Sequence, residues 1–166
     1  MPKLTISALK GPPMNETQHQ NIEDIPEKHK CKHEGYEYRR RDLISRGQAK
    51  CMASRYEIPP GKAAYPYHWH AQNEELFYIL SGCGTLRTLQ GEHAVNAGDV
   101  LFFPAGEQGA HKLTNTGTEP LVYLDFATSH EIDVALYPDS GKIGVWGMGI
   151  NHVYKTDTQA GYYEGE

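Results

Sequence analysis

No apolar run in this chain approaches the roughly 18 residues that a membrane-spanning helix needs. Its first residues also lack the basic-then-apolar layout of a secretory leader, so a cytoplasmic location with no membrane partner is the expectation. A basic surplus is missing as well: 16 Lys and Arg stand against 21 Asp and Glu, for a net charge of −5. That balance argues against a nucleic-acid partner, whose binding face is normally basic. Cysteine is scarce, and Cys31, Cys51 and Cys83 are an odd number spread far apart, which excludes a full disulfide framework and suits a reducing compartment. Cys31-Lys32-His33 finds no second Cys/His pair at zinc-finger spacing and reads as surface. The basic triplet Arg39-Arg40-Arg41 is isolated and followed by Asp42, so it reads as a solvated loop or strand edge. Long amphipathic helices are also absent.

Glycine and proline are plentiful instead, 17 and 10 in 166 residues, a length that fits one domain with arms. Residues 1–48 are polar, carry Pro2, Pro12, Pro13 and Pro26, and show no sustained period, which predicts an extended N-terminal arm. From there, short aromatic and β-branched runs alternate with turn residues about every ten positions, the pattern of an all-β sandwich or barrel. Strands are predicted at 49–58, 63–70, 75–80, 84–89, 99–103, 111–115 and 121–127. The barrel is placed at 49–136, and 137–166 reads as a C-terminal tail, with loop character setting in after Thr128.

His68-Trp69-His70 places two imidazoles on one face of a strand, because side chains alternate with period two. Glu75 opens the next apolar run and His111 a later one. Three imidazoles and a carboxylate suit one divalent transition metal such as Mn, Fe, Zn, Ni, Co or Cu, whereas Mg and Ca prefer oxygen. A His-x-His pair also recurs by chance in a chain with nine histidines, so the residues alone leave a metal site and a coincidence both open.

The order of these residues resembles the cupins, small double-stranded β-helix barrels with two signature motifs. Gly61, six residues, His68-Trp69-His70, four residues, Glu75, six residues and Gly82 match the first motif with one extra residue in the first gap. Gly98, five residues, Pro104-Ala105-Gly106, four residues, His111, three residues and Asn115 match the second with two extra residues before the histidine. The resemblance covers 55 residues and implies an all-β cupin barrel whose mouth binds metal through His68, His70, Glu75 and His111. Glu74 competes for the carboxylate role; Glu75 is preferred because its distance to Gly82 fits and it shares a face with Phe77 and Ile79. The segment from Asp133 to Lys142 resembles the stretch after the barrel in single-domain bacterial cupins labelled sugar-phosphate isomerases.

Four protein ligands leave two adjacent positions open on an octahedral ion, enough for a bidentate ligand or for a ligand plus dioxygen. Three readings follow: a metal-dependent isomerase of a sugar-like hydroxy-carbonyl compound, slightly preferred; an iron-dependent dioxygenase; and a non-catalytic module that binds a small molecule through its metal. An isomerase needs a base, for which Tyr123 and Asp125, sharing a face of the 121–127 strand, are the candidates. Tyr56 and Tyr65 are further possible anchors. Arg55, Arg87 and Lys62 are the cations that would grip an anion. Trp69 faces away from the histidines, and His19, His29, His33, His93, His130 and His152 are read as non-ligands. The arm and the open sheet edges predict a homodimer.

Overall fold

The longest ladder among the described residues runs along residues 121–128, where alternating Leu, Tyr, Asp and Ala point inward from an apolar strand flanked on both sides. A computed structural model describes residues 16–166. In chain order the strands are β1 (Glu27–His33), β2 (Tyr36–Ile44), β3 (Cys51–Ile58), β4 (Trp69–His70), β5 (Glu75–Ser81), β6 (Cys83–Thr88) and β7 (Gly91–Asn96). They continue as β8 (Val100–Phe103), β9 (Lys112–Thr114), β10 (Leu121–Thr128), β11 (Ile132–Tyr137), β12 (Lys142–Gly147) and β13 (Ile150–Lys155). The only helical pieces among the described residues are three-residue 3-10 turns, and none of them can cross a membrane.

A six-stranded sheet ordered β1-β2-β3-β10-β5-β8 and a three-stranded sheet ordered β7-β6-β9 form the barrel. Their inner faces share one core, to which the first contributes Tyr38, Tyr56, Ile79 and Tyr123 and the second Leu86, Val95 and Leu113. A four-stranded sheet ordered β13-β12-β11-β4 adds a wall beside the barrel mouth. At the end of β5, Gly82 takes φ of 81°, and a Cβ there would meet the Pro120 carbonyl oxygen at 2.5 Å, so only glycine fits this first-motif position. Asn115, the last residue of the second motif, is fully buried and donates to the carbonyls of Ile58 and Glu119 at 2.8 Å each, bolting the turn before β10.

Four segments depart from the sequence-based expectation, the shortest of them at Gly91–Asn96, which forms β7 paired with β6 where a turn around His93 was expected. The second half of the arm forms β1 and β2, which extend the six-stranded sheet. Every residue of β1 is exposed, so no apolar period existed to reveal it. The strand expected at 63–70 is regular only at Trp69–His70; upstream, Ala63 makes isolated bridges to Tyr36 and Thr114 around Pro66. The region after Thr128 forms β11, β12 and β13 where loop was expected. The basic triplet is structural: Arg40 pairs with Asp42 at 2.8 Å, and Arg41 donates to the carbonyls of Ile22, Glu23 and Ile25. All three cysteines are free and exposed.

Candidate metal centre at the barrel mouth

The two sequence motifs are stitched together at the histidines themselves. His68 N–H donates to the His111 carbonyl at 3.1 Å and His111 N–H donates back to the His68 carbonyl at 2.9 Å, which sets the two rings 4.8 Å apart. The two additional residues before His111 are taken up in a three-residue 3-10 turn, Glu107–Gly109, which leaves the histidine in place. That turn also supplies the Gly109 carbonyl, which accepts from His111 Nδ1 at 2.9 Å. His70 follows on β4, pinned by its pairing with Ala135 of β11 and by the Gly106 N–H, which donates to the His70 carbonyl at 2.7 Å. Glu75 opens β5 between Phe103 of β8 and Ala127 of β10.

These elements bring His68, His70 and Glu75 together so that one donor atom from each lies within 4.8 Å of the others, a group able to hold a metal ion. His111 joins through Glu75, its Nε2 standing 3.4 Å from Oε2, while His70 Nε2 is 3.7 Å from the same oxygen. Glu74 is exposed and its backbone N–H donates to Thr128 Oγ1, away from the cluster.

Each imidazole is oriented by its other nitrogen. His68 Nδ1 bonds the Pro66 carbonyl at 2.9 Å, His111 Nδ1 that of Gly109, and His70 Nδ1 the Asp133 carboxylate at 2.5 Å. A carbonyl or carboxylate accepts only, so each Nδ1 carries a proton, and the neutral ring presents its lone pair at Nε2. Stacking holds the planes: His111 lies on Phe103 at 3.7 Å and His68 on Tyr137 at 5.7 Å. Burial, reinforced by the neighbouring His111, pushes His68 down to about 3, and burial likewise lowers His111, so both are neutral near pH 7. Burial also pulls on His70, but the Asp133 hydrogen bond and the Glu75 charge outweigh it and raise its pKa. For Glu75, burial acts upward and is overcome by the three histidines, which hold it below its ordinary value and ionised.

Glu75 Oε2 and His111 Nε2 are buried with no hydrogen-bond partner among the described residues. Buried polar atoms are rarely left unpaired, and two converging lone-pair donors orphaned at one point fit a bound cation. A mixed imidazole and carboxylate set suits a divalent transition metal.

Tyr123 and Asp125 do share the inner face of β10. Tyr123 is 1% exposed, stacked on Tyr56 at 5.1 Å and against Phe77 at 4.7 Å, with its hydroxyl pKa pushed well up by burial. Its ring is part of the packed core rather than a group open to a ligand. Asp125 is half-buried, with Oδ1 enclosed and unpartnered; burial and the Glu75 charge raise its carboxyl well above the ordinary range. Tyr56 and Tyr65 are tied up in hydroxyl contacts with each other at 2.9 Å and with Arg40. Among the expected anion grips, Arg87 is paired with Asp139 at 2.6 and 2.9 Å and Arg55 with Glu57 at 3.4 Å. Sequence reasoning missed Asp133, Tyr137 and Arg46. For the first two, the alternation of Asp133, Ala135 and Tyr137 was an available strand signal.

A barrel of two facing antiparallel sheets with a histidine and glutamate cluster at its mouth defines a class of metal-site β-barrels. Residues 54–127 match the cupin domain family, and the fold is the double-stranded β-helix of that family. The oxalate-binding protein of Thermotoga maritima is 35% identical over 73 residues, covering 44% of this chain and 58% of that protein. This chain therefore spans little more than half the length of that relative. Among solved structures, a candidate sugar phosphate isomerase from Acidithiobacillus ferrooxidans is 28% identical at a TM-score of 0.72, covering 90% of this chain and 97% of that one. A cupin-superfamily sugar phosphate isomerase from Silicibacter pomeroyi reaches 0.76 at 19% identity, covering 88% and 98%, a likeness of fold.

Proposed function

We propose that the protein is a metal-dependent enzyme acting on a small, oxygen-rich metabolite, with isomerisation of a hydroxy-carbonyl compound as its reaction. The observation that carries this reading is the convergence of His68, His70 and Glu75, joined by His111 through Glu75, with each imidazole oriented from behind and two of the donor atoms orphaned. The four would hold one divalent ion, of which Mn, Fe, Zn, Ni and Co all suit the donors. Such an ion supplies Lewis acidity, polarising a carbonyl oxygen. The chain supplies the rest. Phe77, Phe103 and Tyr123 exclude water from one wall, which strengthens electrostatic interactions inside. Asp125, on the strand paired with the one bearing Glu75, is the proton-transfer group, because its unpartnered oxygen is buried on the inner face. The oxalate-binding relative and the isomerase-like solved structures support a small oxygen-rich ligand.

The test is an anaerobic screen of hydroxy-ketones and sugar phosphates on protein reloaded with Mn, Fe or Zn. Turnover without oxygen is expected, together with its loss in Asp125→Asn. Turnover only with oxygen would replace isomerase with dioxygenase, and tight binding without turnover would make the protein a binding module.

We further infer that the chain pairs with a second copy. Tyr78 and Leu80 of β5, Val100 and Phe102 of β8 and Phe126 of β10 are exposed, and the register puts them on one outer face that ends at edge strand β8. A neutral apolar sheet face of this kind is self-complementary, and covering it also shields the edge. Light scattering is expected to give twice the chain mass, falling to the chain mass in Phe102→Glu. A wild type that scatters as a single chain at micromolar concentration would overturn the pairing.

A further inference from the structure

The loop between β2 and β3 carries a cation that forms no ion pair among the described residues. Arg46 is half-buried, and its Nη1 is buried with no hydrogen-bond partner there. The loop itself is fixed: Gln48 N–H donates to the Ser45 carbonyl at 3.2 Å, Gly47 N–H to Ser129 Oγ at 3.4 Å, and Ser129 N–H to the Lys50 carbonyl at 2.9 Å. Arg46 lines a cavity of about 420 Å³ with Gly47, Ser129, His130, Glu131 and Asn151, a volume in the range of small-molecule sites. Glu131 shares that lining without bonding the guanidinium.

The loop also lies beside the metal centre, since Gly47 N–H donates to Ser129 Oγ two residues beyond Ala127, which pairs with Glu75. Asp133 and Glu75 act on the Arg46 charge, which acts in turn on His70. Burial pulls its pKa down, yet a guanidinium remains protonated at any working pH. Desolvating a cation without a bonded partner is costly, and proteins seldom carry that cost for structure alone. With a divalent ion present, the ion and Arg46 outweigh the carboxylates of Glu75 and Asp133, so the loaded centre carries a net positive charge that a ligand anion would balance. Guanidinium geometry matches a carboxylate or phosphate.

We propose that Arg46 is the anion anchor of this centre, gripping a carboxylate or phosphate on a metabolite whose other oxygens engage the histidine and glutamate cluster. The inference rests on the reading of that cluster as a metal site and narrows its ligands to anions.

Calorimetric titration of Mn-loaded protein with oxalate, glycolaldehyde phosphate and uncharged glycolaldehyde tests it. At least one of the two anions is expected to bind, and which one distinguishes a carboxylate ligand from a phosphate. Arg46→Met is expected to weaken that anion on the order of 30-fold or more, leave glycolaldehyde unchanged within about twofold, and retain full metal content. Arg46→Lys, which keeps the charge but loses the fork, is expected to fall between. Met relieves an unpaired buried charge, so without ligand the variant should melt at or above the wild-type temperature, whereas a structural arginine would show a lower one. Anion affinity equal in wild type and Arg46→Met, no anion binding by Mn-loaded wild type, or a variant that loses stability along with the anion would each overturn the anchor. A wild type that takes up no metal would instead overturn the metal-site reading on which the anchor rests.

Discussion

The double variant His68→Ala/His70→Ala is expected to lose its metal outright, with an affinity loss on the order of a thousandfold or more, since altering even an outer-shell partner of one ligand costs about 10 to 100-fold. The remaining donors cannot swing over to replace them, because His111 is held by the Gly109 carbonyl and the Phe103 ring, and Glu75 by its place between β8 and β10. The structural consequence has two parts. In the presence of metal, wild type gains stability by mass action, about 4 kcal/mol when the free ion is a thousandfold above Kd, and the variant gains none of it. Without metal the comparison is closer, because trimming His68 removes a buried ring that is already neutral, while trimming His70 leaves Asp133 without its partner. Glu74→Ala serves as the control and should retain metal, whereas Glu75→Gln should bind it far more weakly. Metal analysis of untagged protein decides the matter: equal loading of wild type and the double variant, or loss in Glu74→Ala with retention in Glu75→Gln, would sink the assignment.

The four residues of that cluster were legible because their spacing is local. His68 and His70 share a short extended segment, Glu75 begins the next run, and His111 follows a Pro/Gly turn that the second motif marks. The preference for Glu75 over Glu74 rested on strand alternation, and the same alternation places Glu75 inside with Phe77 and Ile79. What supports the cluster was not legible for the opposite reason. Asp133 reaches His70 across 63 positions, and only the pairing of β11 with β4 brings them together. Arg46 sits in a polar turn whose sequence resembles any solvated loop, and only the bond from Gly47 to the distant Ser129 sets it against that segment. Strands β1 and β13 escaped notice because both are almost wholly exposed and carry polar residues on each face, which erases the period that a half-buried strand shows. Tyr123 exposes a related gap: alternation told which face it takes, but could not tell a wall of stacked rings from a group open to a ligand.

Replacing Asp133 should have the largest effect on the fold and should weaken the metal as well. Its carboxylate is fully buried and accepts from His70 Nδ1, from Gln72 N–H at 3.0 Å and from Asn73 N–H at 3.3 Å, so one side chain ties β11 to β4 and to the loop before Glu75. Asp133→Ala strands all three donors, a loss of about 3 to 5 kcal/mol. Asp133→Asn separates the two roles. Its carbonyl can keep the backbone amides, but the NH2 then faces His70 Nδ1 and favours the tautomer with the proton on Nε2, the atom that should face the ion. Metal affinity is therefore expected to fall about 10 to 100-fold in Asn while stability falls much less than in Ala. Acidity gives a further check on the metal-free protein. Burial acts to raise Asp133, but the His70 hydrogen bond and the two amides lower its pKa, so its contribution is present above the ordinary carboxylate value and fades as pH falls through the lowered one. His70 is raised, so its contribution is complete below the ordinary imidazole value and fades as pH rises through the raised one. The stability gap between wild type and Asp133→Ala should thus be widest between about pH 4 and 6.5 and narrow on either side. Urea unfolding across that range, paired with metal titration of the Asn variant, measures both. A gap below about 1 kcal/mol at its widest, or an Asn variant that binds metal as tightly as wild type, would show that Asp133 neither ties the wall to the barrel nor orients His70.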